Sequence, residues 1–121
     1  MKRKKWGRIN ITTISGDSGG APGIVHYAST KATLKAFTKG LAKEVGGYGI
    51  TVNAIAPGVI LTDLHAEFST EENLSNALNQ AALSRLGQPA EVAGAAVFLA
   101  SDSASYITGE TIAVNGGLRM D

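Results

Sequence analysis

The chain has 121 residues, 44% of them hydrophobic and 17% charged, which is the composition of a folded globular domain and excludes an obviously disordered one. A formal net charge of +1, no cysteine and two histidines leave no electrostatic footprint for nucleic acid, no disulfide framework and no basis for a metal centre. No stretch approaches the roughly 20 apolar residues that span a bilayer, so no membrane partner is expected, and a reducing cytoplasm is compatible with the composition.

In chain order, the basic cluster Lys2-Arg3-Lys4-Lys5 reads as a solvated end, since Trp6 and strand-like residues follow it without an apolar signal core. Ile9 to Ile14 is a β-branched run that passes into a Ser/Gly/Asp/Pro cluster, Ser15 to Gly23, as a buried strand does when it enters a loop. From His26 to about Val45 the period becomes helical, with Leu34, Phe37 and Leu41 as the apolar stripe, and Gly46-Gly47 is expected to stop it. A second strand, Ile50 to Ala56, closes at Pro57-Gly58, and Ser69 to about Leu83 reads as a polar helix. Pro89 suits the first turn of a third helix to about Ser101, with Val92, Ala96 and Leu99 buried, and Thr111 to Val114 forms a last strand. Strands alternating with helices predict an α/β domain on a parallel sheet, with right-handed crossovers and helices on both faces. Ligands bind such sheets beyond the carboxyl ends of the strands, which directs attention to the loops 15–26 and 57–63.

Tyr27 and Lys31 stand four apart at the start of the first helix, which puts both on one face and aims them at those strand ends. A phenol is a poor acid or base at neutral pH, but a neighbouring ammonium favours its phenolate and makes it a usable proton donor to a carbonyl oxygen. Spacing alone is weak evidence, because at ordinary residue frequencies a chain of this length contains a Y-x-x-x-K about one time in five. The competing reading is a surface tyrosine beside a solvated lysine.

The ordered set Gly7-Arg8-Ile9, Tyr27-Ala28-Ser29-Thr30-Lys31, Gly49 to Gly58, Tyr106-Ile107-Thr108-Gly109-Glu110-Thr111 and Val114-Asn115-Gly116-Gly117 resembles the short-chain dehydrogenase/reductase family. Within it the chain is most similar to 3-oxoacyl-carrier-protein reductase-like members, through the closing segment and the Arg85-Leu86-Gly87 turn. The likeness runs along the whole chain but covers about the second half of a family member. It implies one partial domain, residues 1–121: the C-terminal half of a Rossmann-like doubly wound parallel sheet, about three strands with flanking helices, without the N-terminal dinucleotide-binding half. By resemblance, Tyr27 is the general acid/base and Lys31 assists it while holding the nicotinamide ribose of NAD or NADP. Pro57, Gly58, Ile60 and Thr62 line the nicotinamide pocket, against the simpler readings of Pro57-Gly58 as a turn and Thr62 as a cap. The reaction implied is carbonyl/alcohol interconversion on a small molecule by hydride transfer.

The likeness breaks in three places. Thr13 best aligns with the family's catalytic serine, with Ser15 and Ser18 as rivals whose ordinary role is loop capping. The first strand is one residue shorter than usual, which exchanges the two faces of a strand unless a local rearrangement absorbs it. The glycine-rich phosphate turn is absent, since Gly16, Gly19, Gly20 and Gly23 follow the wrong strand. Chemistry by the chain alone is therefore in question. The alternative is a truncated, non-catalytic fragment that acts as an interaction module or has no selected role. An unpaired first strand and uncovered helices predict a homo-oligomer, or association with a fuller subunit of the family.

Overall fold

The structure, a computed structural model, describes residues 1–14, 23–63 and 70–120. Three strands, β1 (Gly7–Thr12), β2 (Ile50–Pro57) and β3 (Thr111–Val114), form a parallel sheet in the order β1-β2-β3. Register is fixed by Gly7 opposite Ile50 through Thr12 opposite Ile55, and by Ala54 opposite Thr111 through Pro57 opposite Val114. The central strand β2 is buried from Ile50 to Ala56, which explains why its residues are β-branched or small apart from Asn53: with helices on both faces, neither needs to be polar.

Among the described residues three α-helices accompany the sheet: α1 (Val25–Val45), α2 (Glu71–Gln80) and α3 (Pro89–Ala100). On one face, Ala42 and Val45 of α1 pack with Ile50 and Val52, flanked by Ile9, Ile11 and Leu41. On the other, Leu99 of α3 packs with Ile55 and Ala104, flanked by Val92, Ala96, Ile112 and Val114. Each buried Val, Leu or Ile side chain contributes about 1.5–3 kcal/mol through removal from water, and each alanine methyl less.

This arrangement corrects the expectation that all crossovers are right-handed. From β1 to β2 and from β2 to β3 the chain steps across the sheet in the same direction, yet α1 and α3 cover opposite faces. Two steps in one direction with helices on opposite faces have opposite hands, so one crossover is of the rare hand. A sheet of three strands is thereby covered on both sides by only two connections.

Local details also depart from the expectations. The first strand begins at Gly7 and ends at Thr12 because its ladder partners run from Ile50 to Ile55. Phe37 is exposed, and the buried positions of α1 are Ala28, Thr38, Ala42 and Val45: the sheet-facing stripe uses small residues, with Leu34 and Leu41 only partly covered. As expected, Gly46 ends α1, whose last residue is Val45. It opens a 3-10 turn, Gly46–Tyr48, and the reversal comes at Gly49, whose φ of 67° favours glycine and whose Cβ would meet the Lys5 carbonyl oxygen at 2.5 Å. The polar helix is shorter than its pattern: Thr70 caps it by accepting a hydrogen bond from the Asn73 amide (3.2 Å), and Ala81 is already extended.

Candidate active site

The carboxyl ends of β1 and β2 lie at one edge of the sheet, beside the first turns of α1. Tyr27 is 44% exposed there. One turn on, the Lys31 ammonium sits over the Tyr27 ring, 5.8 Å from its centroid, and donates at 3.4 Å to the Thr12 carbonyl at the end of β1. The helix period thus brings the two side chains together, and the strand end anchors the cation.

Thr13 is engaged differently from a free donor. It is 2% exposed, its amide continues the ladder to the Ile55 carbonyl (2.9 Å), and its hydroxyl donates to the Lys31 carbonyl at 2.7 Å. A hydroxyl has one proton to give, and this one ties α1 to β1. Together the two hydrogen bonds are reciprocal: Thr13 holds the Lys31 backbone, and the Lys31 side chain holds the backbone at Thr12. The rival hydroxyls, Ser15 and Ser18, lie outside the described residues.

The second loop leaves β2 at Pro57. Gly58 donates to the Val114 carbonyl (3.0 Å), and a Cβ there would meet the Asn115 Cα at 2.7 Å. Close approach of two backbones therefore requires this glycine, whatever else the loop does. Ile60 forms an isolated parallel bridge with Gly87, in which the Gly87 amide donates to Val59 (3.0 Å) and the Leu61 amide donates to Gly87 (2.8 Å). Thr62 is exposed beyond the bridge. Val59, Ile60, Leu83, Arg85, Glu91 and Asn115 border a cleft of about 140 Å³ here.

Around that bridge lies a cluster whose pairing was not expected from the sequence, although the Arg85-Leu86-Gly87 turn was noted there. Arg85 grips Glu91 with both terminal nitrogens (2.9 and 2.6 Å), and a Glu91 oxygen also accepts from the Gln88 amide (2.7 Å). The hydrogen bond from Arg85, reinforced by that from Gln88, lowers the Glu91 carboxyl to about 2. Gln88-Pro89-Ala90-Glu91 has the spacing of a helix start with an acidic third residue, and that was its legible signal.

Comparison with known proteins decides what this arrangement belongs to. A family profile described as enoyl-(acyl carrier protein) reductase matches residues 1–119. The chain belongs to the short-chain dehydrogenase/reductase family. Family members are NAD(P)-dependent oxidoreductases, and the chain is 3-oxoacyl-carrier-protein reductase-like within them. It is 50% identical over 121 residues to the 3-oxoacyl-[acyl-carrier-protein] reductase of Pseudomonas aeruginosa, with 99% of this chain and 48% of that protein covered. Among solved structures, it overlays a putative gluconate dehydrogenase from Agrobacterium tumefaciens with a TM-score of 0.92 at 30% identity, covering 98% of this chain and 47% of that one. The 3-oxoacyl-[acyl-carrier protein] reductase of Brucella melitensis gives 0.88 at 40% identity, covering 100% and 45%. The chain spans about half the length of the curated relatives it matches, and its sheet is the corresponding part of their doubly wound fold. A gluconate 5-dehydrogenase from Burkholderia cenocepacia, similar at a TM-score of 0.89 and 32% identity over 97% of this chain and 46% of that one, was solved with NADP and tartrate.

Proposed function

We propose that this chain supplies the proton-delivery pair and the nicotinamide-facing wall of an NAD(P)-dependent oxidoreductase that interconverts a carbonyl and an alcohol. The observation that carries the reading is the Lys31 ammonium held over the Tyr27 ring and anchored to Thr12 at the sheet's ligand-binding edge. The donor set fits the nicotinamide end of the cofactor: Tyr27 and Lys31 offer hydrogen bonds to a ribose, Pro57, Gly58 and Ile60 offer an apolar wall, and Thr62 offers a hydroxyl. When bound, that cofactor supplies the hydride. Tyr27 gives its proton to the carbonyl oxygen as the carbonyl carbon is reduced, and the Lys31 cation stabilises the negative charge left on the phenolic oxygen. Thr13 acts from behind, holding Lys31 in place.

The relatives' names make a 3-oxoacyl thioester the first substrate to try, with polyhydroxy acids second; the cysteine-free composition is compatible with work in the cytoplasm. The test is a titration of the purified chain with NADH and NADPH, followed by cofactor fluorescence. Saturable binding that Lys31→Ala weakens and Tyr27→Phe largely spares is the expected result. No binding at about millimolar cofactor, where affinity would amount to only some 4 kcal/mol, overturns the reading for this chain.

The exposed Val25, Phe37, Val97, Phe98 and Tyr106 favour a second reading, a non-catalytic module that associates with itself or with a fuller subunit of the family. Sedimentation at micromolar concentration distinguishes the two. Association without cofactor binding supports the module, and a single monomeric species counts against it.

A further inference from the structure

We infer that the Arg85–Glu91 pair is a positioning device for the loop carrying Ile60 and Thr62, acting through Gly87; its consequence for cofactor binding rests on the function proposed above. Beyond Pro57 the chain leaves the sheet, and the Gly58–Asp63 segment is tied down at two places, by Gly58 to Val114 and by the bridge to Gly87. The bridge can fix Ile60 only if Gly87 is itself fixed. It is held from both sides: Arg85 donates to the Leu86 carbonyl (3.1 Å) while gripping Glu91, and Glu91 accepts from the Gln88 amide. Leu86 and Gln88 flank Gly87, so the ion pair immobilises the backbone on each side of the bridging residue, and it does so from the first turn of α3, a helix set in the core by Leu99.

The contact at Gly87 is close enough to transmit position. A Cβ there would lie 2.6 Å from the Ile60 Cδ1, so Ile60 rests against bare backbone and its terminal methyl must move if anything is added. The ion pair itself is exposed, with Arg85 and Glu91 side chains at 51% and 41%. Such pairs add little to global stability, but a forked guanidinium–carboxylate contact is strict in direction. Directional hold without much global stabilisation is what a positioning device requires.

Hydrogen exchange by NMR on the labelled chain separates this role from a merely structural one. In Arg85→Ala, the Leu61 and Gly87 amides are expected to exchange about fivefold faster, an effect sized to an exposed pair, while the Ala54 amide inside β2 keeps its rate. Arg85→Lys, which retains charge without the fork, should recover less than half of the loss. Gly87→Ala keeps the ion pair and provides the second variant: the Ile60 methyl resonance should shift and NADPH binding should weaken. Unchanged exchange at Leu61 and Gly87 in Arg85→Ala overturns the inference. So does a uniform acceleration that includes Ala54, which would mean global destabilisation. A wild-type chain that binds no NADPH sinks the functional reading alone, because the exchange comparison decides the clamp without cofactor.

Discussion

The two faces of the sheet are held by different forces. The face toward α1 is mostly apolar, with Ile9, Ile11, Ile50 and Val52 meeting Ala42 and Val45. The face toward α3 divides. Its carboxyl half is apolar around Ile55 and Leu99, whereas its amino half carries Arg8, Asn10 and Asn53, each making directed hydrogen bonds. Arg8 reaches Asp102 (3.4 Å), Asn10 donates to the Ala96 carbonyl (3.1 Å), and the fully buried Asn53 donates to the Ile107 carbonyl (2.9 Å) while accepting from the Glu110 amide (3.1 Å). Apolar burial is indifferent to direction and sets global stability. The polar half shapes the segment Ile107–Glu110. Pairing is imperfect on both faces, since Arg8 Nε and Thr51 Oγ1 on the α3 side and Thr111 Oγ1, in register with Ala54 on the α1 side, have no hydrogen-bond partner among the described residues.

That contrast can be broken in graded steps. Leu99→Ala removes the largest fully buried side chain among the described residues and should cost about 3–5 kcal/mol, lowering the urea midpoint of unfolding without confining the change to one loop. Asn53→Ala leaves a buried carbonyl and a buried amide without their partner, at a cost of about 2–4 kcal/mol. Its signature should be local as well as global, with the Glu110 amide losing exchange protection before the Thr13 amide, which donates to the Ile55 carbonyl, does. On the apolar face, Thr13→Val keeps the shape and deletes the hydrogen bond to Lys31, costing about 1 kcal/mol, with Thr13→Ser restoring most of it. A hydroxyl whose loss changed nothing would mean that the tie between α1 and β1 is held by burial alone.

The smallest effect is a pH dependence. Glu91 titrates near 2 in the folded chain, against an ordinary 4.5. A carboxyl lowered on folding adds stability that is fully present above its unfolded value and is lost as pH falls through the folded one. The contribution should therefore stand above about pH 5 and drain away toward pH 2, and Glu91→Gln should remove that part of the slope from unfolding midpoints measured across the range. An unaltered slope would mean that the grip of Arg85 on Glu91 does not persist in solution.

The sequence alone determined the alternation of strands and helices, the Tyr27/Lys31 pairing and the family, because each depends on local information: hydrophobic period, a four-residue helical spacing, and ordered short motifs. Leu99 was legible as buried for the same reason. Phe37 was not, because the period of α1 marks an apolar face without saying which neighbours exist to cover it. Nor could sequence show that the two crossovers differ in hand, since that depends on which face each helix finds. Thr13 shows the division most clearly. Its hydroxyl was visible as a candidate for chemistry, but where its proton goes is settled by the approach of a helix carbonyl 18 residues away. The Arg85–Glu91 grip on the Ile60 loop is of the same kind: the residues were in view, and their partners were chosen by packing, which joins segments that no local period connects.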